Sequence, residues 1–187
     1  LVMRALAADP EFAAGARFRV VAAGKAAAPM AAGASRALNY RIASGLVVST
    51  TPIAVAPPFE SIAGGHPLPT AGSELAGRRA LALAASTDSR ERLLCLLSGG
   101  ASALLAAPAP GITLDDKIET TRRLLLEGAD ITALNCVRKH LSQIKGGGLA
   151  LRSSGGCHTL AISDVVGDDI AVIGSGPGVP DDSRFHD

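Results

Sequence analysis

Three short apolar runs in this chain stop abruptly at small or polar residues. They are 18–23, followed by Gly24 and Lys25; 93–97, followed by 98–102; and 159–162, followed by Ser163 and Asp164. Strands buried in a parallel sheet read as continuous apolar runs, and ligands of such sheets bind outside the carboxyl ends of the strands. The pattern therefore predicts an α/β fold with one site where these three ends meet.

The composition fits a single α/β domain over residues 1–187 and excludes several classes of protein. Apolar residues make up 48% of the chain and aromatic residues only 3%, so small aliphatic side chains must fill the core. The net charge of +1 lacks the basic excess that nucleic-acid binding requires. No apolar stretch reaches the roughly 18 residues of a membrane-spanning helix. We expect a cytoplasmic protein without nucleic-acid or membrane partners, and the sequence leaves a homodimer open.

The three cysteines are Cys95, Cys136 and Cys157, and none has the spacing of a metal site. Their apolar or helical contexts are typical of reduced packing residues in a cytosolic protein. The chain begins with Leu1 and ends in a polar, turn-like segment, from which we expect a piece of a longer protein.

Predicted helices and strands alternate along the chain, which favours a Rossmann-like three-layer sandwich with a mostly parallel sheet. Helices are predicted over 25–39, 73–85, 113–127 and from 130 to about 141, and strands over 45–50 and, as an edge strand, within 52–65. Pro29 must lie in the first turn of its helix. Thr113 and Asp116 indicate a capping box, and Asp130 a second cap.

Two apolar stripes are predicted for the last two helices. They are Leu114, Ile118 and Leu125 in the first, and Ile131, Leu134, Val137 and Leu141 in the second. The second stripe leaves Asn135, Arg138 and Lys139 on other faces of that helix.

Gly24 and Lys25 suit the phosphate-facing turn between a strand and a helix. Glycine permits close approach of a ligand, and a lysine in the first helical turn opposes the helix dipole unless an anion is bound. The sequence is not a Walker loop, because the earlier glycine of that motif is absent. A solvated lysine at a helix start is the alternative.

The 98–102 loop, Ser-Gly-Gly-Ala-Ser, is more specific. Its glycines leave backbone N–H groups accessible, and these donors and the serine hydroxyls suit an anion. The candidate phosphate ligands are therefore Ser98, Gly99, Gly100, Ala101 and Ser102. A tight turn with serine as helix cap is the alternative. It does not resemble the nucleophile elbow of serine hydrolases.

Carboxylates follow the third apolar run. Asp164 could orient or deprotonate a hydroxyl, and Asp164 and Asp168 could hold Mg²⁺, which prefers carboxylate oxygen. A turn with solvated acids is equally compatible with Asp168. The later segment 174–178 is either a further phosphate loop or a flexible turn.

Polar and cationic groups gather around the last predicted helix and its glycine-rich exit, and they suit an acidic substrate. They are Asn135, Arg138, Lys139 and Lys145. The guanidinium of Arg138 could grip a carboxylate or phosphate beside Asn135, although a solvated helix face explains both residues as well. His66, in a proline-stiffened loop, is a further candidate for substrate binding.

Six segments together, covering nearly the whole chain in order, resemble the glycerate 2-kinase family. They are 20–27, 65–69, 97–105, 108–113, 135–142 together with 145–147, and 162–169. The resemblance implies ATP- and Mg²⁺-dependent phosphorylation of D-glycerate on its 2-hydroxyl. It also implies that this chain is the amino-terminal domain of a two-domain kinase whose carboxyl-terminal MOFRL domain is absent, so that the isolated chain is inactive. By similarity Lys25 is the active-site lysine and Asp164 its acidic partner.

Two other functions remain compatible with the sequence. One is a nicotinamide-dependent hydroxypyruvate reductase, although the G-x-G-x-x-G fingerprint is absent after the first strand. The other is a domain that binds a nucleotide or sugar phosphate without catalysis.

Overall fold

A five-stranded parallel sheet forms the centre of the molecule, in a computed structural model that describes residues 1–12, 15–163, 165 and 167–184. The strands are β1 (Arg17–Ala23), β2 (Ile42–Ser49), β3 (Phe59–Ala63), β4 (Glu91–Leu97) and β5 (Cys157–Ala161). Their order is β3-β2-β1-β4-β5, and every neighbouring pair is parallel. The chain therefore runs outward from β1 to β3 and returns to the other side of β1, which makes the β1–β4 boundary the topological switch point.

Helices cover both faces of the sheet, which confirms the predicted three-layer sandwich. The helices are α1 (Val2–Ala8), α2 (Ala27–Leu38), α3 (Ala71–Ala85), α4 (Ala101–Leu104), α5 (Leu114–Leu126) and α6 (Ile131–His140). Alternate residues of β1 face opposite cores: Val20 packs with α1 and α2, and Val21 packs with α3 and α4. Helices α5 and α6 lie in the long connection from β4 to β5.

Helix α3 approaches the segment after α4 closely because its buried face is small. Ala76 and Ala80 are fully buried on this face. At Gly77 an added Cβ would collide with the carbonyl group of Ala106, 2.5 Å from its carbon. The amide N–H of Ala106 also donates to the carbonyl oxygen of Ser73 at 3.1 Å. Backbone contact with α3 thus fixes the segment that follows α4.

Several local predictions are confirmed. Thr113 and Asp116 form a reciprocal capping box at α5, and Asp130 accepts two backbone N–H bonds at α6. Pro29 lies in the first turn of α2, and β3 is an edge strand. The three cysteines are free. Among the described residues no helix has the length and apolarity needed to cross a membrane.

The predicted apolar stripes of α5 and α6 are wrong in part. Leu125 is 57% exposed, whereas Lys117 is the buried residue of α5. In α6, Ile131 is 62% exposed and Asn135 only 8% exposed. The reason is that these helices do not cover the sheet with their leucines; they direct polar side chains towards α4 and the loop after α6 instead. Helix α1 was not predicted at all.

Candidate functional site

The ends of β1 and β4 are joined by backbone hydrogen bonds. The Lys25 N–H donates to the Gly99 carbonyl at 3.0 Å, and the Ala26 N–H donates to Ser98 Oγ at 2.9 Å. The Ala27 N–H donates to the Gly24 carbonyl at 3.1 Å. The third predicted strand end lies beside these two, because Ala161 at the end of β5 pairs with Leu97 at the end of β4. All three strand ends therefore meet, as the sequence predicted.

Gly24 is required by this junction. Its φ of +122° is a conformation that side-chain-bearing residues rarely adopt. An added Cβ would overlap the Ser98 hydroxyl and lie 2.5 Å from the Ser98 carbonyl oxygen. The sequence predicted Gly24 as a ligand contact, and the structure gives it a packing reason as well.

The 98–102 loop presents free backbone donors. Within the described chain, neither Gly99 nor Gly100 donates its amide N–H to a protein acceptor. Gly100 has a φ of +89°, and a Cβ there would lie 2.9 Å from Cδ2 of His66. Ser98 is buried, and its hydroxyl is already engaged with Ala26.

An open cleft of about 510 Å³ adjoins this loop. Seven of the predicted site residues line it: His66, Ser98, Gly99, Gly100, Ser102, Asn135 and Arg138. The side-chain amide of Asn135 forms no hydrogen bond with the described residues, so it is available to a ligand in the cleft. The structure thus brings the glycine loop and the polar face of α6 together.

Three predicted residues lie differently. Lys25 is exposed and contacts the loop through its backbone, while its side chain is not part of the cleft lining. Ala101 is buried at the start of α4. Asp168 is exposed, with a φ of +53°, and also lies outside the lining. Asp164 lies outside the described residues. The described residues contain no cluster of three side chains suited to a metal ion.

The 174–176 segment belongs to the cleft. The Ser175 side chain is buried and its Oγ lies 3.0 Å from Ser102 Oγ. The Gly146 and Gly147 N–H groups donate to the Ser175 and Gly176 carbonyls at 3.0 and 2.7 Å. The sequence left a phosphate loop and a flexible turn open here; the segment is pinned by these bonds and contributes a hydroxyl to the site.

Sequence reasoning missed that Lys117 joins two other cations behind Ser102. The cation cluster comprises Lys117 on α5, Arg138 on α6 and Lys145 in the loop after α6. Lys145 Nζ donates to Ser102 Oγ at 2.7 Å and to the Ser102 carbonyl at 2.8 Å, and Arg138 also donates to Ser102 Oγ. Lys117 Nζ donates to the Leu141 carbonyl at 2.8 Å. The sequence signal of this region was the group Asn135, Arg138, Lys139 and Lys145, and nothing in the sequence pointed to Lys117.

Burial lowers the pKa of all three side chains, and repulsion between the cations lowers the pKa of the two lysines further. Burial, followed by the charge of Arg138, lowers the pKa of Lys117 to about 8. Burial, followed by the charges of Arg138 and Lys117, lowers the pKa of Lys145 well below its ordinary value. Burial also lowers the pKa of Arg138.

These features define a doubly wound α/β domain with a polar cleft at its topological switch point. The chain belongs to the family described as "Domain of unknown function (DUF4147)", whose model matches residues 2–187. It is 41% identical over 174 residues to a D-glycerate 2-kinase of Thermotoga maritima, covering 91% of this chain and 42% of the relative. This confirms the resemblance to the glycerate 2-kinase family.

Two further comparisons extend this finding. A crystal structure of glycerate kinase from Thermotoga maritima superposes with a TM-score of 0.86 at 38% identity, covering 98% of this chain and 45% of that one. A relative from Agrobacterium vitis, 41% identical over 90% of this chain and 44% of its own length, carries the name "Putative hydroxypyruvate reductase". The chain spans less than half the length of each of these proteins.

Proposed function

We propose that the protein containing this chain is a cytoplasmic glycerate 2-kinase that transfers phosphate from ATP to the 2-hydroxyl of D-glycerate. In this proposal residues 1–187 form the amino-terminal domain, and a MOFRL-type domain supplies the other wall of the cleft. The observation that carries the proposal is the juxtaposition of free Gly99 and Gly100 amides with Asn135 and Arg138 across one cleft. Hydrogen-bond donors for a phosphate and for a carboxylate would then line the same cleft.

Phosphoryl transfer needs positioning and charge stabilisation rather than a covalent intermediate. The Gly99 and Gly100 amides would bind phosphate oxygens, and Lys25 at the junction would reach the transferring group. Arg138 and Asn135 would hold the glycerate carboxylate. Asp164 would orient or deprotonate the hydroxyl, an assignment that rests on the family resemblance.

The free glycine amides fit the phosphates of ATP. Mg²⁺ bound mainly through phosphates needs only one or two protein carboxylates, for which Asp164 and Asp168 are the candidates. When bound, the ion would neutralise charge on the phosphates.

A nicotinamide-dependent reductase fits the site less well, despite the name of the Agrobacterium relative. A dinucleotide pyrophosphate binds free amides at the first strand-to-helix turn. Here the N–H groups of Lys25, Ala26 and Ala27 all donate within the protein. Titration separates the candidates: a kinase or a non-catalytic nucleotide-binding domain binds Mg-ATP, a reductase binds NADH, and only the kinase consumes glycerate.

The decisive test is Lys25→Ala in the complete protein, with glycerate-dependent ADP release as the readout. We expect kcat to fall by about 100-fold or more, since electrostatic stabilisation of a transferring phosphate is lost. Arg36→Ala removes another exposed cation from the adjoining helix α2 and should leave the rate unchanged. An unaltered rate in Lys25→Ala would remove this lysine from the mechanism. The isolated 187-residue chain should show little or no turnover.

A further inference from the structure

The cation cluster has no counter-charge within the described chain. Lys117 and Lys145 are 8% and 5% exposed, and neither they nor Arg138 form an ion pair. Asp181, which lies beside Gly146, is bound by Lys139 at 2.9 Å and by Ser183. Burying cations without a partner is costly, and a bound anion would offset that cost.

Each member of the cluster keeps unused hydrogen-bond donors. An ammonium has three N–H groups and a guanidinium five. Lys145 uses two on Ser102, Lys117 uses one on Leu141, and Arg138 uses one on Ser102. The remaining donors suit the oxygens of a small anion.

Arg138 and Ser102 line two adjoining cavities. One is the open cleft, and the other is a smaller cavity of about 50 Å³. Lys117 and Lys145 also line the smaller cavity. Its volume suits one small group, because a water occupies about 30 Å³ in the liquid. A ligand in the cleft can therefore place one end group against the cluster.

We propose that Lys117, Arg138, Lys145 and Ser102 form a single oxyanion subsite, which takes the carboxylate of a small hydroxy acid bound in the cleft. The identity of that acid as D-glycerate rests on the proposed function. The oxyanion chemistry rests on the cluster itself, and phosphate shares that chemistry.

Proton uptake is the signature expected of this subsite. The groups facing Lys145 are Ser102 from α4, Lys117 from α5 and Arg138 from α6. The Ser142 hydroxyl accepts a hydrogen bond from the backbone N–H of Lys145. All the charged groups among them are cations, and they lower its pKa together with burial. A bound anion favours the protonated amine, so binding should take up a proton and weaken as the pH rises.

The test is calorimetric titration of the complete protein with D-glycerate and, separately, with inorganic phosphate. PIPES and Tris, which differ in ionisation enthalpy, report proton uptake in the wild type without any substitution. We expect uptake with D-glycerate and no binding of glycerol, which lacks a carboxylate. Lys145→Met and Lys117→Met should each weaken the binding of both anions by about tenfold or more. Lys145→Met should also abolish most of the proton uptake. Arg123→Met removes an exposed cation of α5 and should match the wild type.

The possible outcomes distinguish a failure of the oxyanion subsite from a failure of the proposed function. Phosphate binding that depends on Lys117 and Lys145, with no binding of glycerate, would support the subsite and contradict the proposed substrate. Anion affinities unaffected by either substitution, or D-glycerate binding without proton uptake in the wild type, would overturn the proposal. Thermal unfolding midpoints should stay level or rise in the methionine variants, because an apolar replacement of a buried charge is often neutral or stabilising. If Lys145→Met does not fold, the anion affinities of Lys117→Met and the proton uptake of the wild type in the two buffers still test the proposal.

Discussion

The junction of β1 with β4 and the cation cluster lie at the same cleft but differ in how their polar groups are satisfied. At the junction, the amides of residues 25–27 all find acceptors in the protein. In the cluster, Lys117, Arg138 and Lys145 keep donors and charges that no described carboxylate balances. The comparison indicates that the junction maintains the geometry, whereas the cluster needs a ligand to complete it. Substitutions should therefore harm stability at the junction and ligand binding at the cluster.

Gly24→Ala should have the largest effect. The added methyl group overlaps Ser98 at a φ of +122°, so we expect the free energy of unfolding to fall by about 3 kcal/mol and activity to be nearly lost. Gly128→Ala is the matched control, since its φ is +77° but nothing lies within 4 Å of its Cβ. It should cost about 1 kcal/mol in chemical denaturation. Equal losses in the two variants would show that close packing at Gly24 is unimportant.

Lys117 should make stability depend on pH in a definite window. Its pKa is about 8 in the folded protein and 10.5 when unperturbed. Between these values the unfolded chain binds more protons, so the contribution of Lys117 to the free energy of unfolding should rise with pH. The rise should be on the order of 2–3 kcal/mol and absent from Lys117→Met, measured by denaturation at pH 7.5 and 10. Parallel pH profiles for both proteins would mean that Lys117 is not desolvated.

Arg138→Lys should affect binding more than folding. A lysine keeps the charge but loses the planar fork that suits a carboxylate. We expect the KM for glycerate to rise by about 10- to 100-fold with a smaller change in kcat. Arg122→Lys, at an exposed ion pair with Glu119 on α5, should leave both constants unchanged. A fall in kcat with an unaltered KM would move Arg138 from substrate binding to the chemical step.

Ser98→Ala should have the smallest effect, and it measures the contribution of one hydrogen bond at the junction to stability. It removes the acceptor of the Ala26 N–H and should cost about 1 kcal/mol in the free energy of unfolding. Ser86→Ala, at an exposed hydroxyl after α3, provides the control. If Ser98→Ala instead abolished activity at unchanged stability, its hydroxyl would belong with the phosphate ligands.

The sequence predicted the features that depend on local pattern. The strand ends at Gly24 and Ser98 and the cap at Thr113 follow from short-range chemistry, and the structure has all three. Lys117 escaped prediction because a lysine in an amphipathic helix is ordinarily solvated. Only the packing of α5 and α6 around α4 brings it near Arg138 and Lys145, which are distant from it in the chain. The roles of Lys25 and Asp164 stay predictions.

The close approach of Gly77 to Ala106 has a consequence for the candidate site. Ser102 lies four residues before Ala106, whose backbone rests directly on α3. A methyl group at position 77 would push Ala106 outward and move Ser102 relative to Arg138 and Lys145. A helix that lends no side chain to the site thus helps to hold the Ser102 hydroxyl in place.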